Sequence, residues 1–239
     1  MNWKTKWSVF VKTMKNEYFQ ELLLTGLWNT IKIAIWGLII GILIGTIIAI
    51  VKVAPKYKLG VRILDKFCSF YVALFRGTPM VVQLLLAYYV LLPSLGVKSV
   101  EAINVGIVVF GMNSGAYVAE IMRSGIQSVD HGQMEAGRAL GFGYTTTMIK
   151  IIIPQAIKNI LPTLGNEFIT LIKETSVLSF ITVYDLYTAL STIGSKNYEK
   201  MIPYLVMAVI YIILVLLITL LVHLLEKAMS KGDKRRSEV

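Results

Sequence analysis

Four long stretches without a charged residue dominate this sequence. They cover residues 33–51, 77–97, 102–119 and 201–222, and each is continuously apolar rather than alternating. A helix needs about 20 apolar residues to cross a bilayer. Strands of a membrane barrel alternate between lipid-facing and interior residues, whereas helices satisfy their own backbone hydrogen bonds in hydrocarbon. The sequence therefore predicts an all-α integral membrane protein.

Composition excludes the other broad classes. Of the 239 residues, 56% are hydrophobic and 16% are charged, whereas a soluble domain has about 25% charged residues. A disordered chain would have a much lower hydrophobic content. Cys68 is the one cysteine in the sequence, so a disulfide framework within the chain is also excluded.

A fifth span is predicted over residues 159–182. This stretch is apolar, but Glu167, Lys173 and Glu174 interrupt it. Ionisable residues at membrane depth are costly and point to a function. We therefore expect five spans, and we expect the polar residues of the fourth span to be functional.

The regions outside the spans are short. Residues 1–24 predict an amphipathic segment lying on the bilayer surface, with a partly ordered tail as the alternative. The first span is expected to start near residue 25, the membrane domain to cover residues 25–226, and a basic tail to cover residues 227–239. The apolar side chains of the N-terminal segment lie among Lys4, Lys6, Lys12 and Lys15.

Lysine and arginine residues set the expected orientation. With five spans, segments 52–66 and 123–158 and the C-terminal tail lie on one side of the membrane. That side carries more basic residues than the other, which places it in the cytoplasm. The N-terminus is then outside and the C-terminus inside, although the four N-terminal lysines oppose this arrangement.

The segment between the third and fourth spans is unusually long for a loop. Good helix formers at 134–140 predict a short helix, which Gly141 and Gly143 end. A second helix is expected to follow with Thr145 as its N-cap, and Pro154 marks the start of the next span. The two helices are expected to lie on the cytoplasmic face.

Small residues make the first of these helices suitable for docking. Gly137 and Gly141 are four residues apart and lie on one face, so another surface can approach the backbone closely. Glu135 and Arg138 can pair with each other or reach a partner. A simple amphipathic connector remains the alternative from the residues alone.

This helix resembles the EAA motif of binding-protein-dependent ABC importer permeases. The residues that carry the resemblance, which the family places against its ATPase, are Glu135, Ala136, Gly137, Arg138, Ala139, Leu140, Gly141 and Pro154. Two positions depart from the pattern, since Gly137 replaces the usual alanine and Ile153 replaces the leucine before the proline. The coupling segment implied by the resemblance covers about residues 130–156.

Three other stretches resemble the polar-amino-acid group of these permeases, which handles histidine, glutamine, arginine and cystine. They are the RGTP stretch at 76–79 with its VQL continuation, the NSGAYVAE stretch at 113–120 and the KETS stretch at 173–176. They occur in order and at the family's spacing over roughly residues 25–225. Their spacing disfavours a lipid or metal permease of another ABC subgroup.

The resemblance implies a type I importer fold with five transmembrane helices and a cytoplasmic coupling helix, in the bacterial cell membrane. It implies a second permease subunit, identical or related, and an extracytoplasmic solute-binding protein. It also implies a homodimer of ABC ATPases that holds ATP and Mg²⁺. The chain itself has no phosphate-binding loop of the G-x-x-x-x-G-K-[ST] type, so we expect no enzyme activity and no cofactor in this chain, and no nucleic acid partner.

Polar residues at membrane depth are the candidates for the substrate path. They are Arg76, Asn113, Ser114, Tyr117, Glu120, Glu167, Lys173 and Glu174. Arg76 can meet the carboxylate of an amino acid, and Glu167 can meet its ammonium group. The alternatives are snorkelling for Arg76 and Glu120, a structural pair for Lys173 and Glu174, and packing for Tyr117.

Rival functions remain open on the residues alone. An ATP-independent secondary transporter or channel subunit is the main one, although five spans are few and no inverted repeat is evident. A membrane-embedded enzyme is disfavoured, because the sequence offers no constellation of catalytic residues.

Overall fold

The computed structural model describes residues 2–97, 99–196 and 198–234. The helices in chain order are α1 (Trp3–Met14), α2 (Glu17–Val53), α3 (Leu59–Gly77), α4 (Met80–Leu85), α5 (Leu92–Ser94), α6 (Ala102–Gln127), α7 (His131–Ala139), α8 (Tyr144–Thr147), α9 (Ile153–Glu174), α10 (Leu186–Lys196) and α11 (Met201–Lys234). Two π-helical segments, Leu86–Leu91 and Met148–Ile152, and a 3₁₀-helix, Thr175–Ile181, continue the neighbouring helices. Lys98 and residues 235–239 of the predicted tail lie outside the described residues.

Three of the described helices, α2, α6 and α11, are long and apolar enough to cross a membrane. Two bent pairs raise the number of candidate spans to five: α3 with Met80–Ser94, bent by 106°, and Tyr144–Ile181 with α10, bent by 56°. The all-α class is confirmed, and the upper count equals the five predicted spans.

The first span helix begins earlier than predicted. It starts at Glu17 rather than near residue 25, and the side chain of Asn16 caps it by accepting from the backbone N–H of Tyr18 at 2.9 Å. Of the predicted surface segment 1–24, α1 is therefore the part that forms a separate helix, and the residues from Glu17 onward belong to α2. Its Phe10 and Met14 pack against an apolar cluster formed by α2 and α10.

The second predicted span differs most from the structure. Within residues 77–97 the helical stretch is Met80–Ser94, and a sharp turn at Thr78 and Pro79 joins it to α3. Most of the predicted loop 52–66 belongs instead to α2 and α3. The prediction failed there because α3 is amphipathic, and the charges of Arg62 and Lys66 concealed its apolar face.

Helix α6 forms the centre of the bundle. In the most apolar part of α6, 61% of the residues are buried, whereas the corresponding share in α11 is 6%. Helix α2 approaches α6 through Gly37, Gly41 and Gly45, and a Cβ built at Gly41 would lie 2.6 Å from the Oγ of Ser114. Small residues permit this close backbone approach, so α2 and α6 pack as one unit that positions the remaining helices.

Candidate functional site

Helix α7, which the sequence predicts to be the coupling helix, has well-defined ends. The carboxylate of Asp130 accepts from the backbone N–H of Gly132 at 2.7 Å and caps its start. At its end, the N–H of Phe142 donates to the carbonyl of Gly137, and Gly141 adopts φ +86°. A left-handed glycine with this bonding pattern is the usual helix stop. The short helix predicted to end at Gly141 is therefore confirmed.

Glycine at position 137 has a packing reason. A Cβ there would lie 2.5 Å from the Cγ2 of Thr147, which is fully buried. Position 137, where the EAA pattern usually has alanine, is thus the contact between α7 and α8. The prediction of Thr145 as an N-cap is wrong, because α8 already begins at Tyr144 and Gly143 occupies the cap position.

The outer surface of α7 is open. Glu135, Ala136, Arg138, Ala139 and Leu140 are all exposed, with Leu140 at 75%. Within the described part of the chain, Glu135 and Arg138 do not form an ion pair with each other. Both charges and the small residues between them are therefore free to meet another surface.

Two features join the coupling segment to the membrane helices. The hydroxyl of Tyr144 donates to the carbonyl of Val53 at 3.1 Å, where α2 ends. The π-helical segment Met148–Ile152 then leads into α9 immediately before Pro154. Proline has no N–H for the helical ladder, and π-helical turns accommodate such defects without a break. Pro154 thus lies in the first turn of α9, as predicted, but within a continuous helical stretch.

A network of amide groups holds the bend between α3 and α4. In a regular helix the carbonyl of Phe75 would accept from the N–H of residue 79, which is Pro79 and has none. The Nε2 of Gln83 donates to this carbonyl at 2.8 Å and to that of Thr78 at 3.0 Å. The Nδ2 of Asn113 donates to the Oε1 of Gln83 at 2.9 Å. Asn113, a predicted substrate-path residue, is thus engaged in stabilising the bend.

Replacing Gln83 by leucine tests this network. We expect a loss of about 1–3 kcal/mol in stability, because the variant removes the side-chain donor to the Thr78 carbonyl and leaves the Phe75 carbonyl and the amide of Asn113 only their mutual contact of 3.2 Å. Thermal unfolding of the purified permease measures it. Val82→Leu, at the exposed neighbouring position, is the control and is expected to unfold like the wild type. If Gln83→Leu and Val82→Leu unfolded at the same temperature, the amide network would not be what stabilises the bend.

Charged residues gather near the cytoplasmic end of α6 as the predicted orientation places it. The carboxylate of Glu120 accepts from Arg123 at 2.6 and 2.9 Å and lies 3.5 Å from the Nζ of Lys52. One turn away, the guanidinium carbon of Arg76 lies 5.3 Å from the centre of the Tyr117 ring. These side chains join α2, α3 and α6, and Tyr117 keeps 37% exposure.

The predicted carboxylate Glu167 is buried. Its Oε1 accepts from the hydroxyl of Ser114 at 2.8 Å, and this bond joins α9 to α6. Lys173 is exposed and Glu174 is half-buried. These last two side chains do not form an ion pair with each other among the described residues, so the structural pairing considered for them is not observed.

The sequence prediction missed a polar stripe along α9. With about 100° per residue, its members fall within about 80° of one another around the helix. All are exposed except Thr170, which is half-buried. The stripe consists of Gln155, Asn159, Thr163, Asn166, Thr170 and Lys173. Helical periodicity of the polar residues, rather than charge alone, would have revealed it.

Two members near the middle of the stripe lack partners among the described residues. The hydroxyl of Thr163 and the amide of Asn166 make no hydrogen bond to any described residue. Asn159 donates to the Oγ of Ser128 at 2.8 Å. No group of three or more His, Cys, Asp or Glu residues in the described ranges is arranged to hold a metal ion.

Comparison with known proteins agrees with this geometry. The chain is 38% identical over 215 residues to the putative glutamine transport system permease protein of Rickettsia prowazekii (strain Madrid E), covering 89% of this chain and 96% of that one. It is 36% identical over 211 residues to the arginine transport system permease protein of Bacillus subtilis (strain 168), covering 88% and 94%.

A solved structure extends the likeness to the fold. The crystal structure of an amino acid ABC transporter with histidines matches with a TM-score of 0.82 and 40% identity, covering 92% of this chain and 98% of the other. The type I importer permease fold predicted from the sequence is confirmed. A family model described as the inner membrane component of binding-protein-dependent transport systems matches residues 37–231. The chain belongs to that family of multi-pass membrane permeases, whose partners are in general an ATPase and a binding protein.

Proposed function

We propose that this chain forms the translocation path of an ATP-driven importer for a polar amino acid. The observation that carries the proposal is the polar stripe of α9. It runs along a helix in the membrane domain, and its central members Thr163 and Asn166 are exposed and unpartnered. Polar groups facing lipid are costly, so such groups face a bundle interior or an aqueous cavity. The names of the relatives support an amino acid as the cargo.

A second permease chain completes the path. Among the described residues, none pairs with the side chains of Thr163 and Asn166, and a symmetric partner would bring two stripes to face each other. The space between them would then be lined with hydroxyl and amide groups. The partner is either an identical copy or a related chain.

The substrate contacts follow from the chemistry of a zwitterion. The ammonium group of Lys173 and the guanidinium of Arg76 supply donors for a carboxylate. Thr163 and Asn166 supply oxygen acceptors for an ammonium group. Glu167 lies beside the stripe with its carboxylate engaged by Ser114, so in this conformation it positions α9 rather than contacting the substrate directly.

The exposed face of α7 docks on the ATPase. ATP and Mg²⁺ are held there, so ATP hydrolysis takes place outside this chain. Closure of the ATPase dimer moves α7, and the packing of Gly137 on Thr147 transmits this movement to α8 and α9. This is a rigid-body transition driven by differential binding in two states.

The orientation follows from the coupling. Because ATP is cytoplasmic, α7 must lie on that side. Five spans then place the N-terminus outside and the C-terminus inside, in agreement with the excess of basic residues around α7 and in the tail. The binding protein would deliver the substrate from the outer side.

Uptake into proteoliposomes tests the proposal. The permease is reconstituted with its ATPase and binding protein and supplied with a panel of labelled amino acids, with and without ATP. The double change Thr163→Val and Asn166→Leu is expected to lower kcat/KM by about 10-fold or more, since each lost polar contact costs about 1–3 kcal/mol. Thr219→Val, an exposed threonine of α11, is the matched control and should change uptake less than two-fold, about the scale of a surface substitution.

Two outcomes would contradict the proposal. Uptake that continues at the same rate without ATP would assign the chain to the ATP-independent transporters. Equal uptake by the double variant and by Thr219→Val would show that the polar stripe does not line the translocation path.

A further inference from the structure

An apolar groove runs along the side of the bundle at the end that carries α7. It has two adjoining parts of about 300 and 380 Å³, which share Ile50, Ile126 and Ile153 as walls. The part farther from α7 reaches Thr46 on α2 and Leu164 on α9. The part nearer α7 ends at Val53, Ala54 and the helix that begins at Tyr144.

The groove is long enough to cross one leaflet of a bilayer. Its wall extends along the chain from Ile149 to Leu164, which at 1.5 Å per residue is about 20 Å. One leaflet contributes about 15 Å of hydrocarbon. The lining is hydrocarbon apart from hydroxyl groups, including Tyr144 and Thr145 at the end near α7. An acyl chain therefore fits the groove in both length and chemistry.

Two lysines lie close in the sequence to residues that line the end of the groove near α7, which we call its mouth. Lys58 lies four residues after Ala54 in the sequence, and Lys150 comes directly after Ile149. Both are exposed, and neither takes part in an ion pair with any residue that the structure describes. Uncompensated lysines at the cytoplasmic surface attract anionic headgroups. The mouth is thus suited to a negative charge where the interior is suited to an acyl chain.

We propose that this groove binds one anionic phospholipid of the cytoplasmic leaflet, with an acyl chain between α2 and α9 and its phosphate near Lys58 and Lys150. The inference rests on the proposed function in placing α7 on the cytoplasmic side. A second copy of this chain is a poorer occupant, because the partner chain proposed above covers the polar stripe, whereas the groove residues Ile157, Ile160 and Leu164 lie on a different face of α9. The bound lipid lies against the π-helical segment Met148–Ile152, and so against the element through which α7 moves α9.

Photo-crosslinking to a labelled lipid tests the proposal. The permease–ATPase complex is reconstituted in vesicles containing phosphatidylglycerol with a photoreactive acyl chain, without ATP or amino acid. Ile50→Trp fills the groove and is expected to lower labelling about five-fold or more by steric exclusion. Ile47→Trp, an equally exposed residue of α2 that does not line the groove, is the matched control and should label like the wild type.

A second variant tests the headgroup. Replacing both lysines, Lys58→Glu with Lys150→Glu, is expected to remove the preference for phosphatidylglycerol over an equally photoreactive phosphatidylcholine. Equal labelling by Ile50→Trp and Ile47→Trp, or no preference in the wild type, would overturn the proposal. An Ile50→Cys disulfide between two permease chains, formed in a Cys68→Ala background, would assign the groove to a second copy instead. Because labelling needs neither ATP nor substrate, its failure leaves the uptake test intact.

Discussion

Gly137→Leu is expected to remove nearly all ATP-driven uptake while the permease remains in the membrane. A Cβ at this position would lie 2.5 and 2.9 Å from the Cγ2 and Oγ1 of Thr147, and the rest of the leucine side chain would separate α7 from α8. Buried contacts of this kind do not deform continuously. The coupling helix would lose its fixed position, so movement of the ATPase would no longer reach α9. We expect uptake to fall by about 100-fold, the scale seen when machinery is misplaced by an ångström.

The control lies six residues away in the same segment. Gly143 is exposed, adopts φ −69°, and a Cβ there meets nothing within 4 Å. Gly143→Ala is therefore expected to transport normally. Membrane abundance and the stimulation of ATP hydrolysis by substrate are measured for both variants. Wild-type uptake by Gly137→Leu would show that the contact between α7 and α8 does not transmit the movement.

The sequence was most informative where a pattern has one physical meaning. Long uncharged runs identify α2, α6 and α11 as spans, because no other element places so many apolar residues in lipid. Gly141 was correctly predicted as a helix stop, since a left-handed residue at that place favours glycine. The EAA resemblance, together with the small residues of this helix, predicted an exposed surface at α7, and the structure leaves that surface uncovered.

The bend at Pro79 shows why the second span was misjudged. Proline and threonine in an apolar run are compatible with a kinked span and with a reversal of direction. What fixes the 106° angle is the pairing of Gln83 with Asn113, and Asn113 comes from another helix thirty residues away. Contacts between distant elements are not encoded in local propensity. The same reason makes Asn113 resemble a substrate ligand in the sequence although it stabilises the bend.

The candidate path shows how the structure separates polar residues that the sequence groups together. Charge drew attention to Glu167, which the structure buries against Ser114. The uncharged Thr163 and Asn166 are the groups left exposed and unpartnered. Residue type indicates what a side chain can do, whereas its place on the helix determines what it meets. The helical periodicity of the polar residues in α9, rather than their charge, distinguishes the exposed polar stripe from Glu167, which is hydrogen-bonded to Ser114.

Gly41→Leu is expected to prevent correct folding of the membrane domain. A Cβ at this position would lie 2.6 Å from the Oγ of Ser114 and 3.2 Å from the backbone nitrogen of Gly115. Backbone cannot move aside as a flexible side chain does, so α2 would have to separate from α6. The same collision would displace Ser114 from Glu167 and so loosen α9. Overpacking of this kind costs about 3 kcal/mol or more.

The yield of monodisperse permease and its thermal unfolding in detergent measure this effect. Gly60→Leu is the matched control, because Gly60 lies in the first turn of α3 and a Cβ there meets nothing within 4 Å. Leucine is a better helix former than glycine by roughly 1 kcal/mol, so this control is expected to be as stable as the wild type or slightly more stable. If Gly41→Leu melted with the control and kept its uptake, the close approach of α2 and α6 would not be the contact that organises the bundle. If it lost its folded yield while Gly60→Leu did not, Gly41 would be required because it lets the backbone of α2 approach Ser114 and Gly115 at the centre of the fold.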